Sequence, residues 1–244
     1  MNAVLMLCHN ALELTKRSVE SVLNQDIPVR LLCVDNDSGD GTKEWLAEKG
    51  IHMARFSPQI GVSLGWNYGL RFFFESGCDH VLVVNNDTIL RKDTYRELLA
   101  DGGGFVTAVG VNNPEDILGP FVKAVRPHPD FSCYLIRKEV WEKVGPFDTQ
   151  FFPAYYEDND YHVRLHQAGI EAYTIGLPFY HIASGTLKNS SSEDRVAIEE
   201  ASRKNREKFF AKWKCYPGTP EYAALFLSPP SVPACGTNDK ATSD

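Results

Sequence analysis

Four apolar residues, Val81-Leu82-Val83-Val84, run without a break into Asn85-Asn86-Asp87, so a strand of buried character ends on two amides and a carboxylate. A continuous run of this kind suits a central strand covered on both faces. Ligands in open α/β sheets bind beyond the carboxyl ends of such strands. Asp87 can act there as a hard oxygen ligand, because magnesium or manganese commonly takes one or two protein carboxylates while substrate phosphates fill other positions. The same triplet also suits a turn and a helix N-cap, and taken alone it favours that reading.

Three further groupings carry chemistry. Asp35-Asn36-Asp37-Ser38-Gly39-Asp40-Gly41-Thr42 follows an apolar run and mixes acids, an amide and glycines. A carboxylate here can accept from a nucleobase N–H or a ribose hydroxyl, or the segment can simply cap the next helix. Tyr156-Glu157-Asp158-Asn159-Asp160-Tyr161 opens a helical pattern. Its carboxylates suit the positive end of the helix dipole, with Asp160 and Arg164 an i,i+4 pair; one of them can instead serve as a general base. His181 ends the run Leu177-Pro178-Phe179-Tyr180 and precedes Ser184-Gly185-Thr186. A lone histidine is commonly structural, and a neutral imidazole at a strand end can also complete a metal site with Asp87. Gly61, Gly65 and Gly69 make a smooth stripe around Asn67. Bare backbone admits close approach, and helix packing accounts for at least two of the three.

The elements that must hold these groups alternate. Ala3 to Cys8 reads as a strand. Asn10 and Glu13 predict a capping box for a helix whose apolar side is Leu12, Thr15, Val19, Val22 and Leu23. A strand over 31–34, a helix over 42–49, a strand over 51–56, a helix over 61–75 and a strand over 80–84 follow. Short connections of this type predict βαβ units, a mostly parallel central sheet and flanking helices. Beyond Asp87 the rhythm loosens: a helix near 93–99, a strand near 105–109, a Pro/Gly-broken stretch over 112–129 and a strand over 131–136. Helices over 138–144 and 157–167, a strand over 171–175 and a long helix over 192–213 complete the pattern. One domain over 1–215 is expected, with a nucleotide-binding half to about residue 110 and an acceptor half after it. Residues 216–244 form an extension, expected to be disordered from 228.

The 244 residues are 43% apolar and 23% charged, ordinary for one α/β enzyme domain. A net charge of −7 gives no general attraction for polyanions, so nucleic acid is not an expected partner. Six cysteines are scattered without a CxxC pair, and no run approaches the length of a membrane span. With Met1-Asn2 leading straight into a strand, a cytoplasmic location is expected. The basic residues Arg203, Lys204, Arg206, Lys208, Lys212 and Lys214, interleaved with Phe209, Phe210 and Trp213, fit peripheral contact with an anionic membrane. The favoured expectation is that the aromatic residues pack on the domain and the lysines are solvated. A GxGxxG after the first strand and a GxxxxGK[ST] are both missing, which removes the main signatures of dinucleotide dehydrogenases and P-loop enzymes.

In order and spacing these segments resemble the family 2 glycosyltransferases of GT-A fold, in particular their bacterial rhamnosyltransferase-like branch. Cys8-His9-Asn10, Val34-Asp35-Asn36, Ser38-Gly39-Asp40-Gly41-Thr42, Gly61 to Gly69, Asn85-Asn86-Asp87 and Glu157-Asp158-Asn159-Asp160 carry the resemblance, which covers residues 3 to 213. His181…Ser184-Gly185-Thr186 and Lys204-Asn205-Arg206 look like C-terminal features of the same branch. The resemblance implies an inverting hexosyltransferase that moves a sugar from a UDP-, dTDP- or GDP-sugar to an acceptor hydroxyl on a glycan, lipid-linked glycan or other molecule. It places Asn10, Asp35, Asp37, Gly65, Asn67, Asn85, Asn86 and Asp87 at the donor. It also puts Asp87 and His181 on a divalent cation (Mn2+ or Mg2+), and Asp158 at the catalytic base with Glu157 beside it. Asn85 stands where the strict Asp-x-Asp motif has an acid, so the cation has one anionic ligand fewer. Competing readings are a nucleotidyltransferase, which would carry a Gly-rich, Arg-containing loop where Cys8 to Leu12 stands, and a sugar-binding protein of this fold without turnover.

Overall fold

The computed structural model describes residues 1–119, 125–126, 128–182 and 192–227. Its first half is the alternation expected: β1 (Ala3–Cys8), α1 (Leu12–Leu23), β2 (Arg30–Asn36), α2 (Thr42–Glu48), β3 (Met53–Phe56), α3 (Val62–Glu75) and β4 (His80–Asn85). Each strand is followed by a crossover helix, and β3, β2, β1 and β4 lie side by side in parallel. The alternation of side chains along them fills both faces. Leu5, Val81 and Val83 join the core beneath α3, while Met6, Leu82 and Val84 join the opposite core with Val19 of α1.

The second half departs from the mostly parallel sheet. A two-residue strand β5 (Thr88–Ile89) follows, then α4 (Thr94–Asp101), β6 (Phe105–Val111), β7 (Val125–Arg126), β8 (Cys133–Arg137), α5 (Lys138–Val144), α6 (Glu157–Gln167) and β9 (Ala172–His181). The nine-stranded sheet runs β3-β2-β1-β4-β8-β6-β9-β5, with β7 on β9. Four of its eight pairings are antiparallel, those of β8 with β4 and β6 and of β9 with β5 and β7. The physical reason is the connectivity after β4. A turn at Asn86-Asp87 replaces a crossover helix, and β8 enters from the irregular stretch before it, so neither connection supplies a parallel neighbour.

Other expectations need local correction. The capping box does not form. Ala11, at φ 59°, caps α1 without a side-chain bond, and Asp40 accepts from the Leu12 N–H at 2.7 Å instead. Leu23 is exposed, the buried side of α1 being Thr15, Ser18, Val19 and Val22. The strand expected over 171–175 extends to His181.

The long C-terminal helix α7 (Ser192–Trp213) is followed by a short α8 (Pro220–Ala224) that the sequence pattern did not single out. Phe209 and Tyr222 are buried with Phe151 and Val163, so residues 216–227 pack against the domain. Trp213 donates to Asp160 at 2.9 Å and Phe210 stacks on Tyr216. The aromatic residues that were to anchor a membrane contact are therefore engaged with the protein itself. Among the described residues no helix is long and apolar enough to cross a membrane. Cys8, Cys33, Cys78, Cys133 and Cys215 are free thiols and buried. Ser184-Gly185-Thr186, Cys235 and the tail from Ser228 lie outside the described residues.

Candidate active site

The carboxyl ends of β1, β2 and β4 open on one cavity of about 700 Å³. Its lining includes Asn85, Asn86, Asp87 and His181 together with Glu157, Asp158 and Asp130, and the Asp130 charge acts on both His181 and Asp158. The pairing of Thr88 with His181 carries β9 past the end of β4, and the Ile182 N–H donates to the Asp87 carbonyl at 3.0 Å. That register sets His181 Nε2 3.4 Å from Asp87 Oδ1. Burial pulls the His181 pKa down, but the hydrogen bond and charge of Asp87, with Asp130 behind it, outweigh burial and raise it. The Asp87 carboxylate thus favours the imidazolium, whereas the ring would bind a cation in its neutral form.

Asp87 and His181 stand close enough to share a divalent cation, since adjacent ligands of an octahedral ion bound at about 2.1 Å lie about 3.0 Å apart. A carboxylate with an imidazole suits manganese better than the all-oxygen preference of magnesium. Among the described residues no group of three or more His, Cys, Asp or Glu side chains is placed to hold a metal, so substrate oxygens would have to complete such a site. Asn85 is held by its backbone, its N–H donating to Ser132 and its carbonyl accepting from Ser18 and Thr88. Its side chain lines the cavity. Asn86 is more committed, because its amide donates to the Asn10 carbonyl at 3.0 Å and to Thr15 Oγ1 at 2.9 Å, tying the turn to α1.

The loop after β2 builds a rim. Asn10 Oδ1 accepts from the Gly39 N–H at 2.8 Å, and Ser38 Oγ accepts from the Asn10 N–H at 2.8 Å. Asp35 is wholly covered. It accepts from the Ser38 N–H at 3.2 Å and is ion-paired with Arg55, which also reaches Asp37 at 3.6 Å. The cavity is bordered at this point by Asn36, His9 and Gln59 rather than by Asp35. Asp35 organises the rim through Arg55, a residue that sequence reasoning did not single out, and Asp37 is the acid left partly exposed.

Gly65 and Asn67 are not among the residues that line this cavity. A Cβ on Gly65 would fall 2.5 Å from Leu7 Cδ1, and one on Gly69 2.2 Å from Leu5 Cδ1, so these glycines seat α3 on β1. Asn67 bridges to the backbone of Phe147, donating to its carbonyl and accepting from its N–H, each at 2.8 Å. Both ends of the amide are engaged with the backbone, and Asn67 does not line the cavity.

Two consecutive left-handed residues, Tyr155 and Tyr156 at φ 75°, turn the chain into α6 and set Glu157 and Asp158 at the cavity. Such strained backbone commonly marks functional sites. Asp158 accepts from the Asn159 N–H at 2.8 Å. Burial raises its pKa, against the lowering effect of that bond, with Asp130 adding to the rise. Glu157 is buried and its Oε2 has no hydrogen-bond partner among the described residues; burial and the neighbouring Asp158 push its pKa well up. Trp66 Nε1 is likewise buried and unpartnered on the same cavity. Asp160 points away and is absorbed by Arg164, Lys212 and Trp213.

Asp130 was missed. It follows the irregular stretch, and its carboxylate accepts from the Gly110 and Ser132 N–H groups. An acid one residue ahead of the buried Phe131-to-Ile136 run was the available signal.

Residues 3–102 match the model of Glycosyl transferase family 2. The low-salt glycan biosynthesis hexosyltransferase Agl10 of Haloferax volcanii is 25% identical over 164 residues, 56% of this chain and 53% of that protein. An uncharacterized protein of Mycobacterium tuberculosis is 28% identical over 142 residues, 49% of this chain and 54% of its own length. The matches thus span about half the length of these curated relatives. Among solved structures, the mannosyltransferase PcManGT of Pyrobaculum calidifontis, in complex with GDP-Man and Mn2+, superposes with a TM-score of 0.63 at 15% identity over 92% of this chain and 67% of that one. TarS 1–349 of S. aureus gives 0.58 at 15% identity over 93% of this chain and 78% of that one. GalNAc-T7 with UDP, GalNAc and Mn2+ gives 0.62 at 11% over 89% and 58%. The first 100 residues or so are thus similar to the family 2 glycosyltransferases, and the described chain shares the fold of these GT-A neighbours.

Proposed function

We propose that the protein transfers a hexose from a nucleotide-diphosphate sugar to an acceptor hydroxyl with inversion at the anomeric carbon. The observation that carries this is a single cavity lined both by the Asp87–His181 pair, 3.4 Å apart, and by Asp158. In this reading the pair lies at the leaving diphosphate and Asp158 acts as the base. A divalent cation held by Asp87 and His181 would supply charge neutralisation to that diphosphate. The work of the chain's own residues is distinct. Asp158, half-buried and made more basic by its surroundings, takes the acceptor proton as the hydroxyl oxygen attacks the face opposite the leaving group. Asn85 orients the donor beside Asp87, and the Asn36–His9 rim receives the nucleoside. The GDP-Man, UDP and UDP-GlcNAc complexes of the structural neighbours support a nucleotide-sugar donor. The rhamnosyltransferase-like order of motifs makes a dTDP-deoxyhexose part of the same proposal, and a cytoplasmic location goes with a soluble donor of this class.

The test is calorimetric titration with UDP-, dTDP- and GDP-hexoses, with and without Mn2+ or Mg2+, followed by NMR assignment of the product's anomeric configuration. Tight binding of one donor, strengthened by a cation and weakened by Asp87→Ala, is expected together with an inverted product. Retention of configuration would remove Asp158 from its role. Failure of every donor to bind would remove the transferase.

A further inference from the structure

The chain enters α6 through Phe152-Pro153-Ala154-Tyr155-Tyr156, a turn outside helix and strand whose carbonyls need partners elsewhere. The Pro153 carbonyl accepts from the Val62 N–H at 2.8 Å and that of Tyr156 from the Asp160 N–H at 3.0 Å. The other three meet one side chain. Asn205 of α7 donates its amide to the carbonyls of Ala154 at 2.9 Å, Phe152 at 3.2 Å and Tyr155 at 3.4 Å. Its oxygen accepts from Lys208 Nζ at 3.0 Å, and Lys208 also donates to the Gln150 carbonyl. Carbonyls on one side and an ammonium on the other fix which way the amide faces. Asn205 is wholly covered. Ile198, Asn205, Phe209 and Trp213 recur at helical spacing, so the face of α7 that meets this turn also reaches the donor cavity at Ile198 and Asp160 of α6 at Trp213.

We propose that Asn205 is a positioning residue for the base: it holds the 152–156 turn in the shape that sets Asp158 in the donor cavity. This role rests on the glycosyl-transfer reading of the site. Pro153, Ala154 and Tyr155 line the same cavity as Glu157 and Asp158, whereas Asn205 is not in its lining and acts through the turn. Tyr155 and Tyr156, both at φ 75°, occupy a backbone region that bulky residues rarely adopt. Such a conformation persists only where its surroundings over-determine it, and the three bonds from a covered amide do that here. The Asp158 carboxylate is hydrogen-bonded to the Asn159 N–H at the start of its own helix, so its place follows that of the backbone entering α6.

Asn205→Asp keeps the shape of the side chain but, near pH 7, turns an oxygen instead of an N–H toward the carbonyls; Asn205→Ala removes the group altogether. A packing role makes aspartate the milder change, while holding the turn makes it as damaging as alanine. Hydrogen exchange of the full chain, read by mass spectrometry over peptides covering 151–160, reports the turn directly. Release of nucleoside diphosphate from UDP-, dTDP- and GDP-hexoses with Mn2+ gives kcat, and isothermal titration gives donor affinity. Both variants are expected to exchange faster over 151–160, with kcat down about 10²-fold, the cost of misplacing a catalytic group by about 1 Å, and donor affinity within about threefold. Lys208→Met leaves the amide but removes the ammonium that orients it, and serves where an Asn205 variant does not fold. Exchange over 151–160 should again rise and kcat fall several-fold. Wild-type exchange in Asn205→Asp or Lys208→Met, or faster exchange with wild-type kcat, would overturn the role of Asn205 and leave the transferase reading standing. A wild type that neither binds nor cleaves any of these donors would remove the transferase reading itself, and this role with it.

Discussion

Replacing Asp158 by asparagine separates the base from everything else the residue does. The Asn159 N–H, 2.8 Å from the carboxylate, finds the same acceptor in the amide oxygen, so the start of α6 keeps its shape. What disappears is the carboxylate to which the proposed mechanism assigns the acceptor proton. General bases contribute about 10²–10⁴ in rate, or about 3–5.5 kcal/mol of barrier at 1.36 kcal/mol per decade. The loss is expected in kcat, with the donor dissociation constant unchanged. The pH profile adds a second readout. Burial raises the Asp158 pKa above the ordinary aspartate value of about 3.9, and the base works only when deprotonated. The wild-type rate is full above the raised value and falls tenfold per pH unit below it. In Asp158→Asn the residual rate loses this acid limb. Initial rates of transfer measured across the acid range, with donor titration at each pH, check both points. A variant within a few-fold of wild type and still showing the limb would refute the assignment and move the base to Glu157 or Asp130.

Asn67→Ala strips two buried hydrogen bonds and leaves the Phe147 N–H and carbonyl unpaired, so urea unfolding should show a loss of about 2–5 kcal/mol. Donor affinity of the folded variant should not change; a specific loss of it would restore Asn67 to the donor site. Asp160→Ala removes the shared partner of Arg164, Lys212 and Trp213. It should cost about 3–5 kcal/mol, as breaking buried ion pairs does, and calorimetric melting within a degree of wild type would count against the link between α6 and α7. For Glu157→Gln the sign follows from a raised folded-state pKa. Stability from the bound proton is complete below the unfolded value of about 4.3 and is lost as pH rises through the folded one. Because glutamine stays neutral, the Tm of the variant relative to wild type should climb as pH rises above the ordinary glutamate value toward the raised folded-state one, and a constant difference would refute the reasoning.

The parallel half of the fold was legible because its signals are local. Apolar runs at 3–8, 31–34 and 81–84 alternate with helices, and each connection is short enough to force a crossover. The change to antiparallel pairing after β4 was not legible. It depends on β8 returning between β4 and β6, a long-range choice that no residue near Cys133 announces. Likewise the capping box at Asn10 and Glu13 fitted its motif, yet Asp40, far along the chain, captured the Leu12 N–H. Side chains of the loops compete for the same backbone donors, and the winner is set by how β1 and β2 bring their ends together.

The candidate site divides along the same line. Asn85-Asn86-Asp87 and Glu157-Asp158 could be picked out because acids at a strand end and at a helix start are unusual enough in sequence to raise a chemical question. Gly65 and Asn67 belong to the same recognisable segment but serve packing, and sequence alone gives a glycine that seats a helix and one that admits a ligand the same letter. Asp130 and Arg55 act through proximity that only the tertiary fold creates, one charging the cavity between His181 and Asp158, the other holding the covered Asp35. Asp158 joins the two kinds of information. Its identity as an acid at a helix start is local, but its surroundings are tertiary: Pro129 and Phe131 line both cavities that it borders, and Tyr222 and Phe226 line the smaller one. The C-terminal segment thus helps to set the environment of Asp158, a contribution that no residue near position 158 announces.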